Sequence, residues 1–154
     1  MNPSPQPTIR RGKAADLTAV LTLLQGAGLP TEDLTSAPGL HLWVLCAEES
    51  LVGVIALERV DAGALLRSLV VEPAHQRRGL GRQLVARLEH DARADGVQQL
   101  VLLTETAEAF FRRLGYEAID RRYVSEDLKQ SAEFRTLCPA SAVCMTKSLV
   151  RGPT

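Results

Sequence analysis

The sequence VVEPAHQRRGLGRQL, residues 70–84, places two glycines and three arginines where an apolar run passes into a helical pattern. Glycine lets a ligand approach the main chain closely, and the free N–H groups at a helix N-terminus attract anions. Arg77, Arg78 and Arg82 can add cationic contacts, because each guanidinium presents paired donors. The segment therefore predicts a local anion-binding site.

Two common glycine motifs do not fit this segment. The phosphate loop of nucleotide hydrolases requires G-x-x-x-x-G-K-[ST], and the dinucleotide fingerprint requires a third glycine followed by an acidic residue. The pattern that is present is V-x-P-x-x-Q-x-x-G-x-G, and its fixed positions are Val71, Pro73, Gln76, Gly79 and Gly81.

Strands and helices are predicted to alternate around this segment. A buried strand precedes the loop, a helix follows it, and another buried strand comes next, which is a βαβ unit with two parallel strands. The predicted strands cover residues 7–11, 41–60 with a turn at 48–50, 64–71, 98–106, 116–124 and part of 137–149. The predicted helices cover residues 14–28, 29–34, 80–94 and 107–114, with a helical turn within 125–134.

Composition limits the domain number and the classes of partner. A chain of 154 residues is long enough for one domain. We expect the domain to span residues 8–148, with loose ends at 1–7 and 149–154. Eighteen basic and eighteen acidic residues cancel, which disfavours nucleic-acid and anionic-membrane partners.

Location and metal content follow from two further features of the sequence. No apolar run approaches the roughly 20 residues that span a bilayer, so a cytoplasmic protein is expected. Cys46, Cys138 and Cys144 are odd in number and lack zinc-finger spacing. They are predicted to be buried free thiols, with no metal site.

The glycine pattern and the element order resemble the GNAT superfamily of acyl-CoA N-acyltransferases, over roughly residues 8–148. The resemblance implies a single α/β (α+β) domain with a mixed, mostly antiparallel sheet that splays between two central parallel strands and is flanked by helices. It also implies acetyl-CoA as co-substrate, with its pyrophosphate on the loop and its pantetheine arm beside the buried strand. By this resemblance the cofactor-contacting residues are Leu69, Val70, Val71, Gln76, Arg77, Arg78, Gly79, Leu80, Gly81, Arg82, Thr104 and Phe111.

A second family motif, N-x-x-A-x-x-x-Y-x-x-x-G-F, is matched with two departures: Thr104 replaces its asparagine and Phe111 replaces its tyrosine. Its positions here are Thr104, Ala107, Phe111, Gly115 and Tyr116. In the family the tyrosine often protonates the departing thiolate, and Phe111 cannot donate a proton. Either another group such as Tyr123 supplies the proton, or the thiolate leaves without local protonation, or catalysis is slow or absent.

The attacking amine must be neutral, which calls for a base reached directly or through water. Glu58 and Glu105 are the candidate carboxylates, although a solvated charge at a strand end is the more common role for such residues. His41 is a weaker candidate. Arg67 and Ser68 interrupt an apolar strand, so we expect either contacts to substrate or water, or a structural hydrogen bond.

The C-terminal stretch E-F-x-x-L-C-P-x-S-A-x-x-M is similar to amino-acid-directed acetyltransferases found with bacterial arsenic-resistance genes. The matching residues are Glu133, Phe134, Leu137, Cys138, Pro139, Ser141, Ala142 and Met145. This similarity implies a small amino acid or an amino-acid-like toxic compound as acceptor, with Arg122 and Arg135 as carboxylate clamps. The alternative is a core strand with its lead-in loop, in which both arginines face water.

Two function classes follow from these patterns. The first is an acetyl-CoA-dependent N-acetyltransferase that acts on a small amine by direct attack in a ternary complex, since no activated nucleophile is evident. The second is a catalytically weak acyl-CoA-binding or sensing domain, which is favoured by Phe111 and by the absence of a glutamate early in the central strand. A protein-directed acetyltransferase and a homodimer remain open.

Overall fold

The computed structural model describes residues 6–29, 31–32, 34, 39–60, 63–131, 134 and 141–150. Within these ranges the strands are β1 (Thr8–Arg11), β2 (Leu40–Ala47), β3 (Ser50–Val60), β4 (Gly63–Val71), β5 (Gln99–Thr104), β6 (Glu117–Ala118) and β7 (Val143–Ser148). The α-helices in the same ranges are α1 (Leu17–Gly26), α2 (Leu80–Ala94), α3 (Glu108–Arg113) and α4 (Glu126–Lys129).

The strands form one sheet in the order β1-β2-β3-β4-β5-β7-β6. Neighbours are antiparallel except β4 and β5, which are parallel because α2 forms the crossover between them. The predicted fold class is therefore confirmed: a single α/β domain with a mixed, mostly antiparallel sheet flanked by helices.

The two central strands pair over only a short length. Gly63–Leu65 of β4 pair with Gln99–Val101 of β5, and no pairing between the strands is found beyond Leu65 in the described chain. β4 continues along β3 to Val71, while β5 continues along β7 to Thr104. The predicted splay between the parallel strands is thus present, and it leaves an opening in the middle of the sheet.

A β-bulge bends β4 where the strands separate. Val54 pairs with Val70 and Ala56 pairs with Arg67, so two residues of β4 lie opposite Ile55 alone. One of these two, Ser68, has φ of +61°, a left-handed conformation that costs a non-glycine residue on the order of 1–3 kcal/mol. Bulges bend the strand that carries them, which is consistent with β4 turning away from β5.

The helices cover opposite faces of this sheet because side chains alternate along each strand. On one face α2 packs Leu84 and Leu88 against Ile55 of β3 and Leu66 of β4. On the other face α1 packs Val20 and Leu24 against Val44, Val54 and Val70. The loop between β4 and α2 is therefore fixed at both of its ends by buried elements.

Most predicted elements are found, with two differences. The strand predicted for residues 116–124 ends at Ala118, because Asp120 accepts the N–H of Arg122 (2.9 Å) and caps a 3-10 turn over Arg121–Tyr123. The helix predicted for 29–34 is replaced, in its described residues, by a turn in which Leu34 N–H donates to Thr31 O (3.2 Å).

Two of the three predicted thiols lie in the described part of the chain. Cys144 is buried and Cys46 is half-buried, and both are free thiols as predicted. Cys138 lies outside the described residues. None of the helices described here is long and apolar enough to cross a membrane.

Candidate functional site

A cavity of about 960 Å³ lies between the end of β4, the loop before α2, and α3. Leu69 and Val71 line it from the part of β4 beyond the splay, and Thr106 lines it just after β5. None of the described lining residues is acidic. The cavity thus joins the predicted anion loop to the opening between the central strands.

The loop before α2 leaves backbone donors free. Gly79 precedes the helix with φ of +74°, and Arg77 also has a positive φ of +67°. The amide N–H groups of residues 77–82 have no acceptor among the described residues. Gln76 Nε2 donates to Val71 O (2.9 Å) and so ties the loop to β4. These N–H groups are available to an anion at the positive end of the helix dipole.

Arginines without a partner are concentrated at this cavity. Within the described residues, Arg77, Arg78, Arg82 and Arg113 have no recorded hydrogen bond, ion pair or ring contact, whereas every other described arginine has one. Arg77, Arg82 and Arg113 line the cavity itself. In a chain of zero formal net charge, this produces a local positive site.

His75, in the loop before α2, is a further polar residue that lines the cavity. Its Nδ1 is buried and has no hydrogen-bond partner in the described chain. The Glu72 carboxylate lies 3.7 Å away, which is beyond hydrogen-bonding range.

The structure brings most of the predicted cofactor residues together. Those that line the cavity are Leu69, Val71, Gln76, Arg77, Gly79, Leu80, Gly81 and Arg82. Val70, Arg78, Thr104 and Phe111 are not among its lining residues. The side chain of Val70 packs towards α1, and Thr104 Oγ1 accepts the N–H of Ala107 (3.0 Å) at the start of α3.

Phe111, a predicted cofactor residue, lies in the core and is not among the described residues that line the cavity. Its side chain is buried and packs edge-to-face against Phe110 (5.0 Å) and Tyr116 (5.4 Å). Phe110 lines the cavity instead, together with Arg113 and Leu114 on the same face of α3. Phe110, Arg113 and Leu114 are spaced i, i+3, i+4, so helical spacing could have predicted that they share a face. The family motif includes only Phe111 of this helix.

Glu58 and Arg67 form a buried ion pair. Arg67 Nη1 lies 3.1 Å from Glu58 Oε1, and Arg67 Nε donates to Ser68 Oγ (3.4 Å). The strand alternation places both residues on the face opposite α2. Both Arg67 and Ser68 therefore have structural partners within the sheet.

The described candidates that remain, Glu105, Tyr123 and Arg122, lie outside the cavity lining. Glu105 is exposed directly after β5 and has no recorded partner in the described chain. Tyr123 is 71% exposed, and the Arg122 guanidinium lies 5.6 Å from its ring centre. Arg122 also forms an ion pair with Asp120 (3.1 Å), whereas Arg135 lies outside the described residues.

His41 lies in a separate cavity of about 270 Å³, and the described residues that line it differ from those of the first cavity. Arg11 Nη2 is 2.8 Å from His41 Nδ1. Because a guanidinium only donates, Nδ1 must be the acceptor, which makes the imidazole neutral with its hydrogen on Nε2. Burial, together with the nearby Arg11 charge, lowers the pKa of His41 below its usual 6.5.

Comparison with known families matches a part of the chain that includes the described residues lining the first cavity. A model of the acetyltransferase (GNAT) domain matches residues 38–118. An N-acetyltransferase of Chlorobaculum tepidum, CT2212, named as uncharacterized, is 31% identical over 88 residues, or 57% of this chain and 54% of that protein. A probable N-acetyltransferase 14 of Danio rerio is 36% identical over 82 residues, or 49% of this chain and 29% of that protein. The matches thus span about half, or less, of these relatives.

Solved structures with the same fold cover nearly the whole chain. Rv2747 from Mycobacterium tuberculosis, crystallised with CoA, is 25% identical with a TM-score of 0.77, covering 93% of this chain and 99% of that one. A GNAT-family acetyltransferase from Staphylococcus aureus has a TM-score of 0.80 at 14% identity, covering 94% and 100%. N-acetylglutamate synthase from Neisseria gonorrhoeae has a TM-score of 0.80 at 18% identity, covering 97% and 36%. The last two comparisons concern the fold alone.

Replacing Gly79 tests whether the loop at residues 77–82 binds the anion. Gly79→Ala should weaken binding of CoA, the ligand expected from the loop, by about tenfold, or about 1.4 kcal/mol. A Cβ disfavours the φ of +74°, so the loop would move its N–H groups away from the anion. Isothermal titration calorimetry with CoA measures this change.

Gly28→Ala is the matched control for that variant. Gly28 has φ of +73°, and a Cβ at either glycine would meet no atom within 4 Å, so the two backbone costs are comparable. Gly28 lies outside the cavity lining, and its variant should lose stability without losing CoA affinity. Unchanged CoA affinity in a folded Gly79→Ala protein would contradict the assignment of the loop.

His41 should make stability depend on pH in a defined direction. Its lowered pKa means that the folded protein binds fewer protons than the unfolded chain, in a window that begins near pH 6.5 and extends below it. The free energy of unfolding should therefore fall as pH falls through that window. Arg11→Met should raise the His41 pKa in an NMR titration of the imidazole, whereas Arg112→Met on α3 should not. A wild-type pKa of 6.5 or above would refute this account.

Proposed function

The chain belongs to the GNAT acetyltransferase family, and from this premise we propose that it is an acetyl-CoA-dependent N-acetyltransferase. The observation that carries the proposal is the cavity where amides and arginines without a partner in the described chain meet the opening between β4 and β5. A diphosphate suits the amides at the start of α2, and an extended thioester arm suits the opening. The CoA complex of Rv2747, which has the same fold over 93% of this chain, supports this ligand.

The proposed reaction is direct transfer in a ternary complex. The nitrogen of a neutral amine attacks the thioester carbonyl carbon, the C–N bond forms, and the C–S bond breaks. The amine loses a proton and the leaving sulfur gains one. Beyond Leu65, the edge of β4 that faces β5 is free of strand pairing in the described chain. We assign main-chain groups of this edge to the pantetheine arm and to the carbonyl oxygen as negative charge develops.

The proton-transfer residues are part of the same proposal. Glu58 is held by Arg67 within the sheet, so we assign it the role of positioning that guanidinium. Glu105 is exposed and without a recorded partner among the described residues, so it is the proposed base, acting through a water molecule. Tyr123 is the proposed acid for the thiolate, because Phe111 carries no hydroxyl and Tyr116 donates its hydroxyl to Glu89 (2.7 Å).

A small amino acid or an amino-acid-like compound is the proposed acceptor, including toxic arsenic-containing analogues. The similarity of the C-terminal stretch to amino-acid-directed acetyltransferases supports this choice. Arg67, Arg122 and Arg135 are the proposed carboxylate contacts, and Ser68 is proposed beside Arg67. A cytoplasmic location and a homodimer also belong to the proposal.

A thiol-release screen tests the activity. Purified protein with acetyl-CoA is offered amino acids, their arsenic-containing analogues, polyamines, aminoglycosides and a basic peptide, and free CoA thiol is measured against a reaction without protein. Thiol release is expected with amino-acid-like acceptors first. CoA binding with no release from any amine would instead favour the acyl-CoA-binding domain, the second candidate, which the buried Phe111 supports. Failure to bind CoA would overturn both.

Removing one hydroxyl tests the proposed acid. Tyr123→Phe should lower turnover by roughly 10²-fold with little change in CoA affinity, because only the positioned proton is lost. Tyr116→Phe, at the only other tyrosine of the chain, is the matched control. It breaks the hydrogen bond to Glu89 and should reduce thermal stability without a comparable loss of turnover. A normal rate for Tyr123→Phe would reject Tyr123 as the acid.

A further inference from the structure

We infer that Arg113 forms a second anion subsite, and that this subsite binds the 3′-phosphate on the ribose of CoA. The protein would then select 3′-phosphorylated carriers over dephospho-CoA. This inference rests on the proposed use of CoA, and it adds a selectivity that neither the glycine loop nor the family assignment provides.

The position of Arg113 on α3 supports the second subsite. Phe110, Arg113 and Leu114 line the cavity from one face of the helix. The ring of Phe110 lies beside the start of α2. If Gly81 carried a Cβ, that atom would be 3.6 Å from Phe110 Cζ. At 1.5 Å per residue, Arg113 lies about 4.5 Å further along the helix axis than Phe110. It therefore flanks the amide-bearing loop and does not belong to it.

The partners of the two neighbouring arginines differ. Arg112 forms an ion pair with Glu108 one turn earlier in α3. Arg113 has no acidic partner in the described chain, although it lies in a cavity without a described acidic residue. One guanidinium is thus neutralised within the helix, and the other remains available to a ligand.

The chemistry of CoA calls for two separated anion contacts. Its diphosphate and its 3′-phosphate are attached to the same ribose, on different oxygens. The amides of residues 77–82, with Arg77 and Arg82, suit the diphosphate. A phosphate monoester carries a charge of about −1.5 to −2 at neutral pH and can accept paired donors from one guanidinium. Among the described lining residues, Arg113 is the guanidinium without a partner that lies on a different element.

The experiment compares two ligands across matched variants. CoA and 3′-dephospho-CoA are titrated by calorimetry into wild-type protein, Arg113→Ala, Arg113→Lys and Arg112→Ala. Wild-type protein should bind CoA about tenfold more tightly, and Arg113→Ala should lose this ratio while its affinity for dephospho-CoA stays the same. Arg112→Ala removes the same charge from the same helix and should keep the ratio. Arg113→Lys should retain part of it, because the charge remains but the paired donors are lost.

The possible failures can be told apart. Equal affinities for the two ligands in wild-type protein would overturn the 3′-phosphate subsite and leave the proposed function standing. Equal weakening of both ligands by Arg113→Ala would overturn it too, since the loss would then be independent of the 3′-phosphate. Thermal unfolding reports any effect of Arg113 on the helix end, and a lower Tm with an unchanged ratio would mean a structural role only. Absence of CoA binding in wild-type protein would overturn the function itself.

Discussion

The separation of β4 from β5 is the constraint on which the site depends. Three residues of each strand pair, and beyond them each strand pairs, among the described residues, on its outer side only. Backbone N–H and C=O groups need partners, so the inner edges are suited to an extended ligand or to water. The bulge at Ser68 bends β4 there, and the strain of its left-handed conformation is borne by a strand whose two sides are packed in the core.

A second consequence of this geometry is the buried Glu58–Arg67 pair. Both residues lie beside the point of separation, one on β3 and one on β4. A buried ion pair contributes little net stability, but the loss of one partner leaves an uncompensated charge and typically costs about 3–5 kcal/mol. The pair therefore commits Glu58 to holding Arg67 in place. For this reason we assign base catalysis to an exposed carboxylate and not to the buried one.

The features predicted well from the sequence are those whose physical cause is local. Gly79 and the helix after it produce the anion loop through a positive φ and the unpaired amides of a first turn, and both can be recognised from neighbouring residues. The position of Arg113 in the cavity lining was not predicted, because it depends on how α3 packs beside the start of α2. The strand predicted past Ala118 failed for a different reason, since Asp120 captures the N–H of Arg122 and ends it. The second family motif predicted Phe111 as a cofactor residue, whereas the packing of α3 places Phe110 in the cavity lining.

This difference between local and tertiary causes explains why the acyl carrier, CoA, is better defined than the amine that accepts the acetyl group. The proposed CoA site is formed by consecutive residues of one loop, with one face of a neighbouring helix. The proposed acceptor contacts come from β4, from the 3-10 turn at Arg121–Tyr123, and from Arg135 outside the described residues. Groups brought together from distant segments can change one at a time without disturbing the carrier loop. Membership of the family therefore constrains the activated group, whereas the identity of the amine must be read from side chains that only the folded chain assembles.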